Sequence, residues 1–220
     1  MFWRQRYCGQ NLLAPELPAF GLALLSGNEP SESLAGWPED ICPNFSDWLP
    51  GDIVLIRSTG QGQDAIIEQG QRFSFNRATR DGSMYVHAAI YAGNGEIVDI
   101  TRPLGVAKRS LWAYCQSNAV AVRRMRSLTM QQHQDIADHA QKLLPLGLDY
   151  SLAQLVLSKI IPKQAPNKDS LYCSTLVGLA VEKGCGKNLA GPWIYRPLHP
   201  GTLAEHQDLD TVQLEWRPRV

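Results

Sequence analysis

The first run with a buried-strand pattern is Ile53-Val54-Leu55-Ile56, apolar at four successive positions and introduced by Pro50-Gly51-Asp52. Segments 84–92 and 96–101 flank Gly93-Asn94-Gly95 and predict a hairpin. Ala119 to Arg124 predicts a further strand and Thr211 to Trp216 a closing one. Elsewhere the spacing is helical. Ile136, Ala140, Leu143 and Leu144 form the apolar face of a helix that Thr129 caps with Gln132 three residues on and that Pro145 stops. Leu152, Leu155, Val156 and Ile160 predict a shorter helix ended by Pro162, with a loop over 163–169. A third helix has Cys173, Leu176, Val177 and Ala180 inward, Asp169 or Ser170 as its cap, and its end near Gly184. Ser110 to Tyr114 reads as a helical turn, residues 192–197 as loop, and His199 to Ala204 as a turn into a short helix.

The hairpin register decides which side chains meet. If Gly93, Asn94 and Gly95 all form the loop, Ala92 faces Glu96 and Ala89 faces Asp99. Side chains 85, 87, 89 and 91 then share a face with 97, 99 and 101, and His87 lies diagonal to Asp99. If Asn94-Gly95 alone makes a two-residue turn, Asp99 points to the opposite face. The residues allow both.

Residues 1–50 are rich in proline and tryptophan, with one short helix near 19–26; they read as an N-terminal extension packed on a single domain over 51–220. From Ser58 to Ser83 glycines and glutamines predominate, with a short helical suggestion at Ala65-Ile66-Ile67. A lid and a flexible insertion are both open there.

Among the 220 residues, 21 Lys and Arg balance 21 Asp and Glu, and neither sign gathers into a long run. That pattern speaks against nucleic acid and anionic membrane as partners and favours a small uncharged or zwitterionic substrate. No apolar run approaches the about 20 residues that cross a bilayer. Ala19 to Leu25 is a short run behind two prolines and lacks a clean cleavage site, so synthesis in the cytoplasm is expected, with any export by a non-classical route. Five cysteines without a C-x-x-C pair argue against a disulfide framework and a zinc ribbon.

The chemistry concentrates in Cys173, in the first turn of its helix, and His87, in mid-strand. A thiol is a useful nucleophile as thiolate, and a helix N-terminus with a neighbouring imidazole favours that form. The pair points to a cysteine hydrolase or acyltransferase, with the Cys173 backbone N–H as the natural oxyanion donor and no metal or cofactor required. Tyr172 and Tyr85 either line the cleft and support the oxyanion or pack in the core. Glu96 reads as solvated at the turn, and His133 and His139, six residues apart, as solvated helix positions. Cys8, Cys42, Cys115 and Cys185 read as structural.

Three motifs in this order carry a resemblance: the strand opener Gly51-Asp52-Ile53-Val54, the H-x-x-I-Y-x-G-x-G strand from His87 to Gly95, and the Y-C-S-x-L-V helix start from Tyr172 to Val177. Together they resemble the circularly permuted NlpC/P60 papain-like superfamily. Pro200-Gly201-Thr202-Leu203 is similar to that group's Pro-Gly-Asp-Leu segment. Residues 51–205 are covered. The resemblance implies an α+β fold with an antiparallel sheet packed against the cysteine-bearing helix, in the permuted order with histidine first. It implies Cys173 as nucleophile, His87 as general base and Asp99 as the third polar residue, and so favours the three-residue hairpin loop. Its members include cell-wall peptidases and amidases as well as lipid acyltransferases and phospholipases. Fold and site residues do not choose between those substrates. The expectation is an amide hydrolase acting on peptidoglycan stem peptides through an acyl-enzyme, with a lipid or thioester acyl hydrolase and a non-catalytic binding module as alternatives. An exported antibacterial effector, with a secretion apparatus or an inhibitor protein as partner, extends that expectation.

Overall fold

A strand that is apolar on both faces has to be covered on both, and Ile53 to Ile56 are all buried. The computed structural model describes residues 41–58, 67–69, 71, 80–101, 104–111, 114, 118–146, 149–150, 170–190 and 198–218. In chain order its elements are β1 (Ile41–Pro43), β2 (Ile53–Arg57), α1 (Arg80–Ser83), β3 (Tyr85–Gly93), β4 (Glu96–Thr101), β5 (Gly105–Ser110), β6 (Val120–Met125), α2 (Met130–Gln141), a 3-10 turn at Leu144–Leu146, β7 (Asp149–Tyr150), β8 (Ser170–Leu171), α3 (Cys173–Cys185), α4 (Pro200–Ala204), β9 (Leu209–Val212) and β10 (Trp216–Pro218). The expected helices near 19–26 and 152–160 and the loops at 163–169 and 192–197 lie outside the described residues.

Six strands form one antiparallel sheet in the order β5-β4-β3-β2-β6-β9, while β1 pairs with β10 and β7 with β8. The helices lie on one face. There Ile53, Leu55, Ala88, Ile90, Val98 and Ile100 meet Ile136 and Ala140 of α2 and Leu176, Val177 and Ala180 of α3. On the other face Val54, Ala89, Tyr91, Ile97, Val120 and Val122 pack with Trp48, whose ring meets Phe45 and Tyr91 edge-on. Each wholly buried Leu or Ile in these layers contributes about 1.5–3 kcal/mol.

The fixed points of α2 and α3 are readable in their side chains. Thr129 and Gln132 close a reciprocal capping box at the start of α2. Gly184 lets α3 approach α2 closely, since a Cβ there would lie 2.6 Å from the backbone of Ile136. Gly186 ends α3 with φ of 74°. Its N-cap is Tyr172, not Asp169 or Ser170: the extended backbone of β8 runs through Ser170 and Leu171 directly into the helix. His133 also departs from expectation. It is buried, because α2 turns it toward Gly51 and Asp52; at Gly51 (φ of 86°) any Cβ would collide with the His133 carbonyl. Burial pushes the His133 imidazole down, partly countered by Asp52.

Asp52, wholly buried, explains the Gly-Asp opener. It accepts the Leu49 N–H at 2.8 Å and both Nε and Nη2 of Arg124 at 2.8 and 2.7 Å. This ion pair ties β2 to β6 at the mouth of the first turn.

The hairpin combines features of both expected registers. Asn94 and Gly95 alone form the turn, with φ of 56° and 71°, and Gly93 pairs with Glu96. Ala92 is then an extra residue in β3, a bulge that restores Tyr91↔Ile97 and Ile90↔Val98. Asp99 therefore keeps the parity of His87. After β4 the chain makes β5, a strand without a foreseen pattern, and Leu111 hydrogen-bonds back to the Gly95 carbonyl.

Candidate active site

The pairing of β3 with β4 stops at Ile90↔Val98, although both strands continue past it. In β3 the Tyr91 N–H points to β2, where it bonds the Asp52 carbonyl, so the alternate amides of Ile90 and Ala88 point toward the β4 side. Next to Val98 the Ile90 edge is laced; at Ala88 it opens. Cys173, the first residue of α3, occupies that opening, and its sulfur accepts hydrogen bonds from the N–H groups of Ala88 and Ser174. The Ser174 hydroxyl anchors this first helical turn by donating to the Leu198 carbonyl at 2.5 Å.

His87 reaches the same opening from β3. Its Nε2 lies 3.1 Å from Asp99 Oδ2, and the ring also hydrogen-bonds Cys173. With Nε2 engaged by Asp99, the nitrogen left for the sulfur is Nδ1. The His87 side chain is 15% exposed and Asp99 is fully buried, so one edge of the ring remains open to an incoming molecule.

Charges at such depth persist when they are paired. Burial of itself raises the Cys173 thiol, but the hydrogen bond and charge of His87, with the two backbone N–H groups, hold it below the ordinary 9.0. For His87 burial pulls down, while Asp99 and Cys173 push the imidazole up to about 10. Burial also raises Asp99, yet His87, Tyr114 and Arg109 together keep it below 3.8. All three shifts act in one direction, favouring a thiolate beside an imidazolium beside a carboxylate over their neutral forms.

Sequence patterning brought out three of the participants and missed two. Arg109 Nε donates to Asp99 Oδ1 at 2.6 Å, and Tyr114 Oη donates to Asp99 Oδ2 at 2.5 Å. Arg109 lies on β5 diagonal to Asp99, since Ile97 faces Arg109 and Asp99 faces Ala107. The signal was a cation two residues from the position opposite Asp99, unreadable without recognising β5. Tyr172 packs against Ile67 and Val86. Tyr85 is buried in the core, and burial raises its phenol against the opposing charges of Arg57 and Arg123. Cys185 is a free thiol bonded to the Val181 carbonyl within α3, and Glu96 pairs with Lys108 at 2.5 Å beside the turn.

A cysteine at the start of a helix, paired with a histidine from an antiparallel sheet whose strand comes first in the chain, defines the permuted papain-like class. The chain belongs to the permuted papain-like amidase enzymes of the YaeF/YiiX type, the C92 family, whose model matches residues 48–188. A solved structure similar to it is the metalloprotein YiiX of Escherichia coli O157:H7, with a TM-score of 0.53 and 17% identity over 76% of this chain and 98% of that one. At that identity the likeness is one of fold. No curated protein matches the chain. Among the described residues no group of three His, Cys, Asp or Glu side chains is disposed to hold a metal ion. Nor, among them, is any helix long and apolar enough to cross a membrane.

Proposed function

We propose that the protein is a cysteine amidase that cleaves an amide bond through Cys173, His87 and Asp99. The observation that supports this is the shared opening between β3 and β4, where one imidazole contacts both the sulfur and a buried carboxylate. The Cys173 thiolate attacks the carbonyl carbon, and the oxyanion forms beside the Cys173 N–H at the start of α3. His87, as imidazolium, gives its proton to the departing amine, leaving an acyl-enzyme. Neutral His87 then takes a proton from water, whose oxygen attacks the thioester, and thiolate and imidazolium are regenerated as the acid leaves. Asp99 keeps the imidazole oriented throughout.

The amidase character of the family favours an amide over an ester, and we take the peptidoglycan stem peptide as the first substrate. Delivery to a periplasm as an antibacterial effector, with a secretion apparatus and a protective inhibitor protein as partners, extends the proposal, and secretion of the protein into the culture medium tests it separately. Purified muropeptides and phospholipid vesicles are incubated separately with the wild type and with Cys173→Ala. Muropeptide fragments heavier by one water in sum, formed by the wild type alone, are expected. Release of fatty acid with intact muropeptides would move the assignment to a lipid acyl hydrolase.

A further inference from the structure

Asp99 is approached by three donors. Arg109 Nε–H meets Oδ1, while Tyr114 Oη–H and His87 Nε2–H meet Oδ2. Each needs an acceptor at the other end, and an ionised carboxylate supplies acceptors alone. Arg109 is itself held, since its Nη2 donates to Thr101 Oγ1 at 2.6 Å. Tyr114 has a second consequence. With its proton directed at Asp99, its oxygen faces His87 Nε2 at 3.3 Å as an acceptor. The two rings lie 5.4 Å apart at 31°, so the phenol also limits rotation of the imidazole.

We propose that Arg109 and Tyr114 are positioning residues of this reaction, which make position 99 accept a carboxylate only and keep a proton on His87 Nε2 in both the charged and the neutral ring, so that Nδ1 is the nitrogen that exchanges its proton at the sulfur. The inference rests on the assignment of Cys173 and His87 given above. It reaches further in one respect: a neutral amide, isosteric with the carboxylate, must fail at position 99 for a reason that lies in Arg109. The amide introduced by Asp99→Asn has one N–H₂ end. Turned toward His87 and Tyr114, that end opposes the His87 Nε2–H and makes the Tyr114 hydroxyl turn to accept; turned the other way, it opposes Arg109 Nε–H. Removing Arg109 releases the second orientation, in which the amide oxygen serves both His87 and Tyr114. The carboxylate, by contrast, loses its cation when Arg109 is removed.

The test is the rate at which iodoacetamide alkylates Cys173, followed by mass spectrometry from pH 5 to 10, in the wild type, Asp99→Asn, Arg109→Met and the double variant. Asp99→Asn is expected to lose roughly 100-fold at pH 7 and to shift its midpoint toward that of a free thiol, in line with displaced imidazole partners. The double variant is expected to recover to within about tenfold of the wild type, because the amide then accepts from His87. A merely structural Arg109 predicts the reverse, a double variant worse than either single one, and that result would overturn the proposal. Tyr114→Phe, which removes one oxygen from a half-buried ring, is expected to slow alkylation about tenfold with an unchanged melting temperature and, above pH 10, where the ring is neutral, a smaller Nε2–H share in the nitrogen-15 spectrum of His87. An unchanged rate and tautomer would equally overturn it. Wild-type alkylation no faster than that of glutathione would instead bring down the nucleophile assignment, and this inference with it.

Discussion

His87 and Asp99 meet at 3.1 Å across a hairpin whose turn holds two residues, and they do so because Ala92 is one residue too many in β3. A two-residue turn alone would direct Asp99 to the far face of β4. The bulge reverses that parity before the strand reaches Ile90.

Deleting Ala92 is therefore expected to abolish the contact. Alkylation of Cys173 should fall by roughly 100-fold, with a large loss of stability as Ile97 and Val98 exchange faces. Deleting Ala92 while inserting one glycine after Gly95 keeps the number of residues between Ile90 and Val98. That compensated hairpin should recover most of the reactivity. Equal damage in both variants would show that the bulge serves some other end.

The ion pair leaves a signature in stability against pH. Between 6.5 and 9.0, the ordinary values of the two groups, the unfolded pair keeps one proton, on sulfur; with the ion pair formed, the folded pair also keeps one, on the ring. Equal proton numbers give no slope. Above 9.0 the folded pair alone retains a proton until about pH 10, so stability falls on the alkaline side. In Cys173→Ala the sulfur no longer counts. Asp99 alone is then left to raise His87, and the part of the raise that it sustains stabilises fully below 6.5 and is lost as pH rises, by up to about 1.4 kcal/mol per pH unit. Urea titrations at pH 7 and 8.5 should show a plateau for the wild type and a decline for the variant. Parallel profiles would mean that the thiol is not ionised in the folded protein.

Arg124→Ala leaves the wholly buried Asp52 carboxylate with the Leu49 N–H but without its cation. A loss of about 3–5 kcal/mol is expected, read from the urea midpoint. Asp52→Asn in the same background should recover part of it, since the uncompensated charge is gone. Unchanged stability in Arg124→Ala would show that solvent reaches Asp52.

Gly184→Val introduces a side chain where even a Cβ would meet the Ile136 backbone. A cost of about 1–3 kcal/mol is expected from overpacking, and because α3 carries Cys173 at its other end, alkylation should slow as well. A stable variant with slowed alkylation would be consistent with the helix being displaced; a stable variant with normal alkylation would show that α2 and α3 can part freely.

The elements that sequence reasoning recovered are those whose signal is local. Ile53 to Ile56, the Thr129 capping box and the inward stripe from Cys173 to Ala180 each announce themselves within a few residues, and each lies where its pattern predicts. The contact of His87 with Asp99 was available as one of two registers, but the bulge that selects it has no signature in Tyr91-Ala92-Gly93 beyond an extra small residue. β5 went unread because Gly105 to Ser110 alternates without large apolar side chains, being an edge strand with an exposed Lys108. Arg109 and Tyr114 were lost with it. His133 was placed in solvent by helix spacing; it is buried where the backbone of α2 comes up against Gly51, 82 residues upstream, a close approach that no periodicity on α2 reveals.

The interruption beside Ala88 gives one backbone amide an unusual duty. Its proton is held by sulfur where a neighbouring strand's carbonyl would otherwise hold it, so its rate of exchange with deuterated water tracks the electron density on Cys173. Chemistry at the thiol, whether protonation, alkylation or acylation, would thereby be written into the sheet as a change at a single peptide group.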